Sequence, residues 1–278
     1  MATTTAEDKL LEQVLATFEG ASSDRLREVT EAAIRHMHAF VREVNLTQEE
    51  WMTAIQFLTA VGQKCDDVRQ EFILLSDVTG TSSLVEMINY EGAAGSTEAT
   101  VLGPFYQSGS PKRKNGDSII ETDHGGTRFH VTGTVRTIDG TPIAGAEVDV
   151  WQTSSNALYP QQDPEQDPNN LRGLFITDAE GRYEFHAVRP VDYPVPTDGP
   201  VGAFLTASGR HPMRAAHTHF IVRAPGHIPV TTHLFDSESK YLESDAVFGV
   251  RDSLILEFEP DGNGGLQTNF DITLTPKR

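Results

Sequence analysis

In His217-Thr218-His219 two imidazoles are separated by a single residue. On a β-strand alternate residues face the same side, so both rings would project from one surface within reach of one metal ion. The pair alone decides little. His36-Met37-His38 has the same spacing inside a helical pattern, where it does not put two rings on one face. Two tyrosines enlarge the set. Tyr159 follows Ser155-Asn156-Ala157-Leu158 and precedes Pro160 and a long polar segment, and Tyr193 sits in the proline-rich run from Arg189 to Pro196. Taken singly, each reads better as a half-buried loop aromatic with a hydrogen-bonded hydroxyl. Taken jointly with His217 and His219, they form a two-tyrosine, two-histidine set. Phenolate oxygens are hard, anionic donors, and two of them offset much of the charge of Fe(III) while imidazoles complete the sphere. A ferrous oxygenase more usually pairs two histidines with a carboxylate, and no His-x-Asp or His-x-Glu occurs here. A zinc hydrolase built on His217 and His219 remains an alternative, but it wants a third histidine or carboxylate and a bound water.

Positioning these groups requires a strand scaffold, and the hydrophobic period supplies one. Residues 1–98 read as helical: Leu26, Val29, Ala33, Met37, Phe40, Val41 and Val44 recur at helical spacing. Ser22, Ser23 and Asp24 offer an N-cap, and Thr47 with Glu50 has the capping-box pattern ahead of Trp51, Ile55, Leu58 and Val61. Further helices are expected over Val68 to Leu75 and Ser83 to Asn89. The polar run from Ser108 to Asp117 reads as a loop, after which the period changes to two. Phe129, Val131, Gly133 and Val135 alternate, and short apolar runs follow at 146–151, 174–177, 182–188, 217–222, 230–235, 253–258 and 270–275. The fold class expected is mainly β with an α-helical N-terminal part. Residues 99–278 are expected to form an antiparallel β-sandwich, and residues 1–98 a helical domain whose apolar faces read first as internal core and second as a dimerisation seam. A non-enzymatic sandwich module would show the same strands but has no reason to keep two tyrosines beside His-x-His.

Composition narrows the partners. A formal net charge of -18 repels nucleic acid and anionic membrane surfaces alike, so neither is expected as a partner. No run of about 18 apolar residues appears, so no membrane span is expected. The first residues lack the basic start and apolar stretch of a secretory signal. A single cysteine, Cys65, permits no internal disulfide and suits a reducing cytoplasm, which is the expected location.

Leu102-Gly103-Pro104-Phe105-Tyr106, Val148-Asp149-Val150-Trp151, Ile176 to Tyr183 and Arg214-Ala215-Ala216-His217-Thr218-His219-Phe220 together resemble the intradiol ring-cleavage dioxygenases. The resemblance covers nearly the whole chain. The stretches Phe72 to Asp77 and Tyr241 to Val250 look most like the members that act on hydroxyquinol. It implies one Fe(III) per chain held by Tyr159, Tyr193, His217 and His219, with Tyr193 and His219 axial. It implies cleavage of a small aromatic diol or triol by O2, with Arg214 and Tyr193 as catalytic groups. Leu74, Asp77, Val101, Gly103, Pro104 and Phe105 match positions that line the substrate pocket. His233, where catechol-cleaving relatives often carry glutamine, is counted with them, and support of an iron ligand is its other reading. The resemblance further implies a homodimer joined through the N-terminal helices, with a lipid-like molecule between them. Asp77 stands among Leu74, Leu75 and Val78, and a carboxylate in an aromatic pocket is costly unless it gains a hydrogen bond. The third hydroxyl of hydroxyquinol would supply that bond, whereas catechol would not.

Overall fold

The computed structural model describes residues 5–67, 69–90 and 92–277. It divides into two compact units, Met1–Thr59 and Ala60–Arg278. In the first, α1 (Ala6–Ala16) packs on α2 (Asp24–Glu43), and Arg42 pairs with Asp8 at 2.8 Å. Ser23 caps α2 by accepting from the Leu26 amide at 3.2 Å, as its sequence predicts. The capping box before α3 (Gln48–Lys64) also forms, with Thr47 N donating to Glu50 at 2.9 Å and Glu50 N to Thr47 at 3.2 Å. No residue of α2 is buried. Its stripe of Val29, Met37, Phe40, Val41 and Val44 stands in solvent.

In the second unit, α4 spans Glu71–Val78 and α5 Thr81–Asn89. Both are offset by two or three residues from the sequence expectation, and Val68 lies outside the described residues. Two packed sheets follow. One contains β1 (Arg128–Thr137) and β4 (Arg182–Val188), and the other β2 (Glu147–Trp151) and β3 (Arg172–Ile176). A two-residue ribbon comprises β5 (Tyr193–Pro194) and, after α6 (Pro200–Ala207), β6 (Met213–Arg214). The second sheet continues through β7 (His217–Arg223), β8 (Val230–Asp236) and β9 (Ile255–Leu256). The first gains β10 (Glu259–Pro260), β11 (Leu266–Asn269) and β12 (Ile272–Leu274).

The long ladders are antiparallel, as short strands joined by turns without long intervening helices implied, but β1–β11, β1–β12 and β8–β9 run parallel. The C-terminal segment returns beside β1 through a long connection, and that geometry permits parallel pairing where a hairpin does not. Inner faces meet in one core, where Phe129, Val131, Val135 and Phe185 face Val148, Val150, Phe220 and Val222. Each such buried side chain contributes roughly 1.5–3 kcal/mol over leaving it in water.

The helix α6 went unread in the sequence, although Gly199-Pro200 is a start signal with proline at the first helical position. It is tied to α4 by Glu71, which is buried, accepts from the Val201 amide at 3.2 Å and pairs with Arg69 at 2.8 Å. A carboxylate at a helix N-terminus satisfies an otherwise unpaired donor and complements the helix dipole. The same contact fixes the orientation of α4, whose Leu74 and Asp77 are buried further along. On α5, the Ser83 hydroxyl donates to the Phe248 carbonyl at 3.0 Å. The compact units divide between Thr59 and Ala60, N-terminal to residue 98. Among the described residues no helix is long and apolar enough to cross a membrane.

Candidate metal centre

His217 and His219 point to the same side of β7, and their Nε2 atoms are 3.0 Å apart. Tyr159 Oη lies 3.0 Å from His219 Nε2 and 3.1 Å from Tyr193 Oη. Four side chains separated by up to 60 positions thus bring their donor atoms to one buried point.

Each is held by a local device. The His217 Nδ1 lies 2.6 Å from the Ala215 carbonyl. A carbonyl only accepts, so Nδ1 carries the proton and Nε2 keeps its lone pair for the cluster. His219 is clamped on one face by Trp151, its in-register partner on β2, with rings 4.5 Å apart and 7° from parallel. Tyr159 precedes the short 3-10 turn Pro160–Gln162, its amide donating to Gln162 Oε1 at 3.1 Å, and Phe105 stacks on its ring at 4.7 Å. Two residues earlier, Ala157 has φ 66, a left-handed conformation unusual for a residue with a Cβ, which bends the chain into the site. Tyr193 on β5 is the register partner of Arg214 on β6, which places Arg214 Nη1 3.2 Å from Tyr193 Oη and 3.1 Å from His217 Nε2.

Electrostatics sort the donors. Burial, then the Arg214 charge, lowers the His217 pKa well below the usual histidine range. Burial, then His217 and Arg214, does the same for His219, so both imidazoles are neutral. Burial, reinforced by Tyr193, raises the Tyr159 phenol well above its ordinary value, with Arg214 opposing. Arg214 itself is fully buried. Burial works against its charge, but Asp245, Tyr193 and Tyr159 more than offset that and hold its pKa above the ordinary arginine value. Asp245 receives Arg214 Nε at 3.2 Å and the Gly249 amide at 2.8 Å.

The donor chemistry fits a hard trivalent cation: two neutral imidazoles, and two phenols that become anionic when a metal replaces their protons. His217, His219 and His233 also form a buried triad whose ring nitrogens lie within 4.8 Å of one another. The triad is not the better cage. His233 Nε2 meets His219 at Nδ1, 2.7 Å away, whereas Tyr159 and His217 meet His219 at Nε2. The two nitrogens of one imidazole point apart, so His233 lies behind His219. The sequence left His233 with two readings, pocket residue or support of an iron ligand, and its contact with His219 Nδ1 fits the second.

The other pocket candidates divide. Gly103 has φ +77, a left-handed conformation that favours glycine, and it lies against the His219 ring, where a Cβ would make ordinary contact at 3.4 Å. Phe105 reaches Tyr159, as described. Leu74 and Val101 are buried at 2% and 1% exposure, and Pro104 is half-buried. Asp77 is 1% exposed, and its Oδ2 has no hydrogen-bond partner among the described residues. Burial pushes its pKa up to about 6, against the Ser82 hydroxyl and the Arg214 charge, with Asp245 adding to the rise. Sequence reasoning missed Asp245, Trp151 as a clamp, and Gln152, which accepts from the Thr218 hydroxyl at 2.8 Å. Trp151 stood in a motif already quoted, but only the sheet register aligns it with His219.

Comparison with known proteins agrees with this geometry. The family described as "Catechol dioxygenase N terminus" matches residues 23–97, and the one described as "Dioxygenase" matches residues 101–276. The chain is 46% identical over 254 residues to a hydroxyquinol 1,2-dioxygenase of Rhizobium sp. (strain MTP-10005), covering 91% of this chain and 86% of that protein. It is 42% identical to a 6-chlorohydroxyquinol 1,2-dioxygenase of Cupriavidus pinatubonensis, covering 97% and 98%. The solved structure of a hydroxyquinol 1,2-dioxygenase from Pseudomonas putida DLL-E4 superposes with a TM-score of 0.90 at 43% identity, covering 98% and 99% of the two chains.

Proposed function

This chain belongs to the intradiol ring-cleavage dioxygenases, a family of non-haem iron enzymes acting on aromatic diols or triols with O2, and from that membership we propose that it cleaves hydroxyquinol. The product is 3-hydroxy-cis,cis-muconate or its maleylacetate tautomer, with both atoms of O2 in the new carboxylates. One Fe(III) per chain is held by Tyr159, Tyr193, His217 and His219. The observation that carries this reading is the convergence of Tyr159 Oη, Tyr193 Oη and two Nε2 atoms at separations of 3.0–3.1 Å.

When bound, the iron supplies Lewis acidity and a template for the two adjacent oxygens of the diol. The chain supplies the rest. Tyr193, whose Oη already accepts from Arg214 Nη1, would as a phenolate take one of the two protons the diol gives up, and a solvent-derived hydroxide would take the other. Arg214, its charge secured by Asp245, stabilises negative charge that builds on the ring oxygens as the ring loses aromaticity. His233 and Trp151 keep the His219 ring in one orientation. Leu74, Val101, Gly103, Pro104 and Phe105 wall the aromatic ring and exclude water, and Asp77 Oδ2 receives the third hydroxyl. Oxygen uptake with a panel of hydroxyquinol, catechol and chlorinated catechols tests the assignment. The expected result is one O2 consumed per ring, fastest with hydroxyquinol, by a protein coloured by a broad ferric-tyrosinate band. A colourless protein that consumes no O2 with any of them would overturn it.

Residues 1–98 act as the dimerisation part, because the exposed stripe of α2, with Trp51, Ile55 and Leu58 of α3, is too apolar to be left in water. A homodimer with a lipid between these helices covers it. Sedimentation velocity on the purified protein should show a dimer at micromolar concentration; a monomer there would remove this part of the proposal. A cytoplasmic location suits the single cysteine.

A further inference from the structure

On the solvent face of the first sheet, His130 of β1 and His186 of β4 are direct cross-strand partners, and Glu184 lies one pleat away on the same face. His130 Nε2 is 2.8 Å from Glu184 Oε1, and the two imidazoles stack 4.4 Å apart at 14°. The three ligand atoms lie within 4.8 Å of one another. We propose that His130, Glu184 and His186 form a second metal site, for a divalent transition cation such as Zn2+, separate from the buried centre.

Three physical points support it. The residues are two imidazoles and a carboxylate, donors that suit borderline divalent cations and leave at least one position for water. The inner neighbours Phe129, Val131, Phe185 and Ala187 are buried in the core, so the strand backbones that carry the ligands are fixed. The side chains themselves are half-buried or exposed. Two donors about 2.1 Å from a tetrahedral ion stand roughly 3.4 Å apart, so closing from the observed spread needs only rotation of those side chains. Burial and the neighbouring His130 lower the pKa of His186, which keeps its ring neutral and able to bind. A cation there would staple β1 to β4 and stabilise the fold by mass action.

The test is calorimetric titration of ZnCl2 into the iron-loaded protein, with zinc and iron per chain measured after desalting, and thermal unfolding with and without zinc. The proposal expects one zinc per chain, unchanged iron and a raised Tm. In His130→Asn and in His186→Gln, zinc affinity should fall at least 10-fold and the Tm rise should vanish, while Glu184→Gln weakens binding less. Because His186 is exposed, its variant keeps the test decisive if the His130 variant folds poorly. No zinc uptake by the parent, equal uptake by both histidine variants, or uptake at the expense of iron would each overturn the site.

Discussion

Tyr159→Phe and His217→Ala should each yield a folded protein that retains little iron, has lost its visible band, and turns over more than 100-fold more slowly. Changing a group that merely supports a ligand costs about 10- to 100-fold in metal affinity or activity, and removing the ligand itself should exceed that. Tyr159→Phe is the cleaner of the two. It deletes one oxygen and leaves the ring that Phe105 stacks upon, whereas His217→Ala opens a cavity and deprives Arg214 Nη1 of an acceptor. A pH dependence accompanies the parent. The Tyr159 phenol is raised well above its ordinary pKa, chiefly by burial and then by Tyr193, so without metal it keeps its proton. Iron must displace that proton, so loading weakens as pH falls and strengthens as it rises. Iron content by elemental analysis, the visible spectrum and oxygen uptake read all three effects. Full colour and full activity in both variants would mean that the iron is held elsewhere.

The pairing of His217 with His219 on one face was legible in the sequence because strand periodicity is short-ranged. Once His217 and His219 are placed on a strand, the period of two puts both rings on one face, and β7 does so. Capping at Ser23 and Thr47 was legible for the same reason, since each bond spans three residues. What escaped was set by register and by long loops. Asp245 meets Arg214 from 31 positions away, and nothing in Glu243-Ser244-Asp245 marks it as an ion-pair partner rather than a solvated turn. Trp151 clamps His219 only because β2 and β7 pair in that register. Glu71 reads as an ordinary charge in the first turn of a helix, yet it is buried beneath the start of α6. The parallel pairings of β11 and β12 to β1 carry no local signal, since alternation is the same for either strand direction. His233 shows the limit most sharply: its place in the sequence allowed two readings, and the pairing of β7 with β8 put it directly across from His219.

Replacing Asp77 should change which substrate the enzyme prefers more than how well it folds. The carboxylate is buried, its Oδ2 has no partner among the described residues, and its pKa is raised to about 6 from 3.8, chiefly by burial. A carboxyl group whose folded pKa is raised destabilises the folded state progressively as pH climbs from its unfolded value through 6. At neutral pH that cost is about 3 kcal/mol, at 1.36 kcal/mol per pKa unit. In the substrate-free protein, Asp77→Asn should therefore be neutral or stabilising at pH 7, and the gain should disappear near pH 4. An arrangement that costs stability without a substrate is expected where a substrate hydroxyl completes the hydrogen bond. A hydrogen bond to a charged acceptor contributes about 1.5–3 kcal/mol, so Asp77→Ala should lower the ratio of kcat/KM for hydroxyquinol over catechol roughly 10- to 100-fold. Most of that change should come from hydroxyquinol, because catechol never used the carboxylate. In the parent the same ratio should fall as pH drops through about 6, where Asp77 gains its proton and ceases to be a charged acceptor. The comparison needs both substrates at two or three pH values on parent and variant. A parent that prefers catechol, or a variant that keeps the parent's ratio at every pH, would show that Asp77 does not read the third hydroxyl.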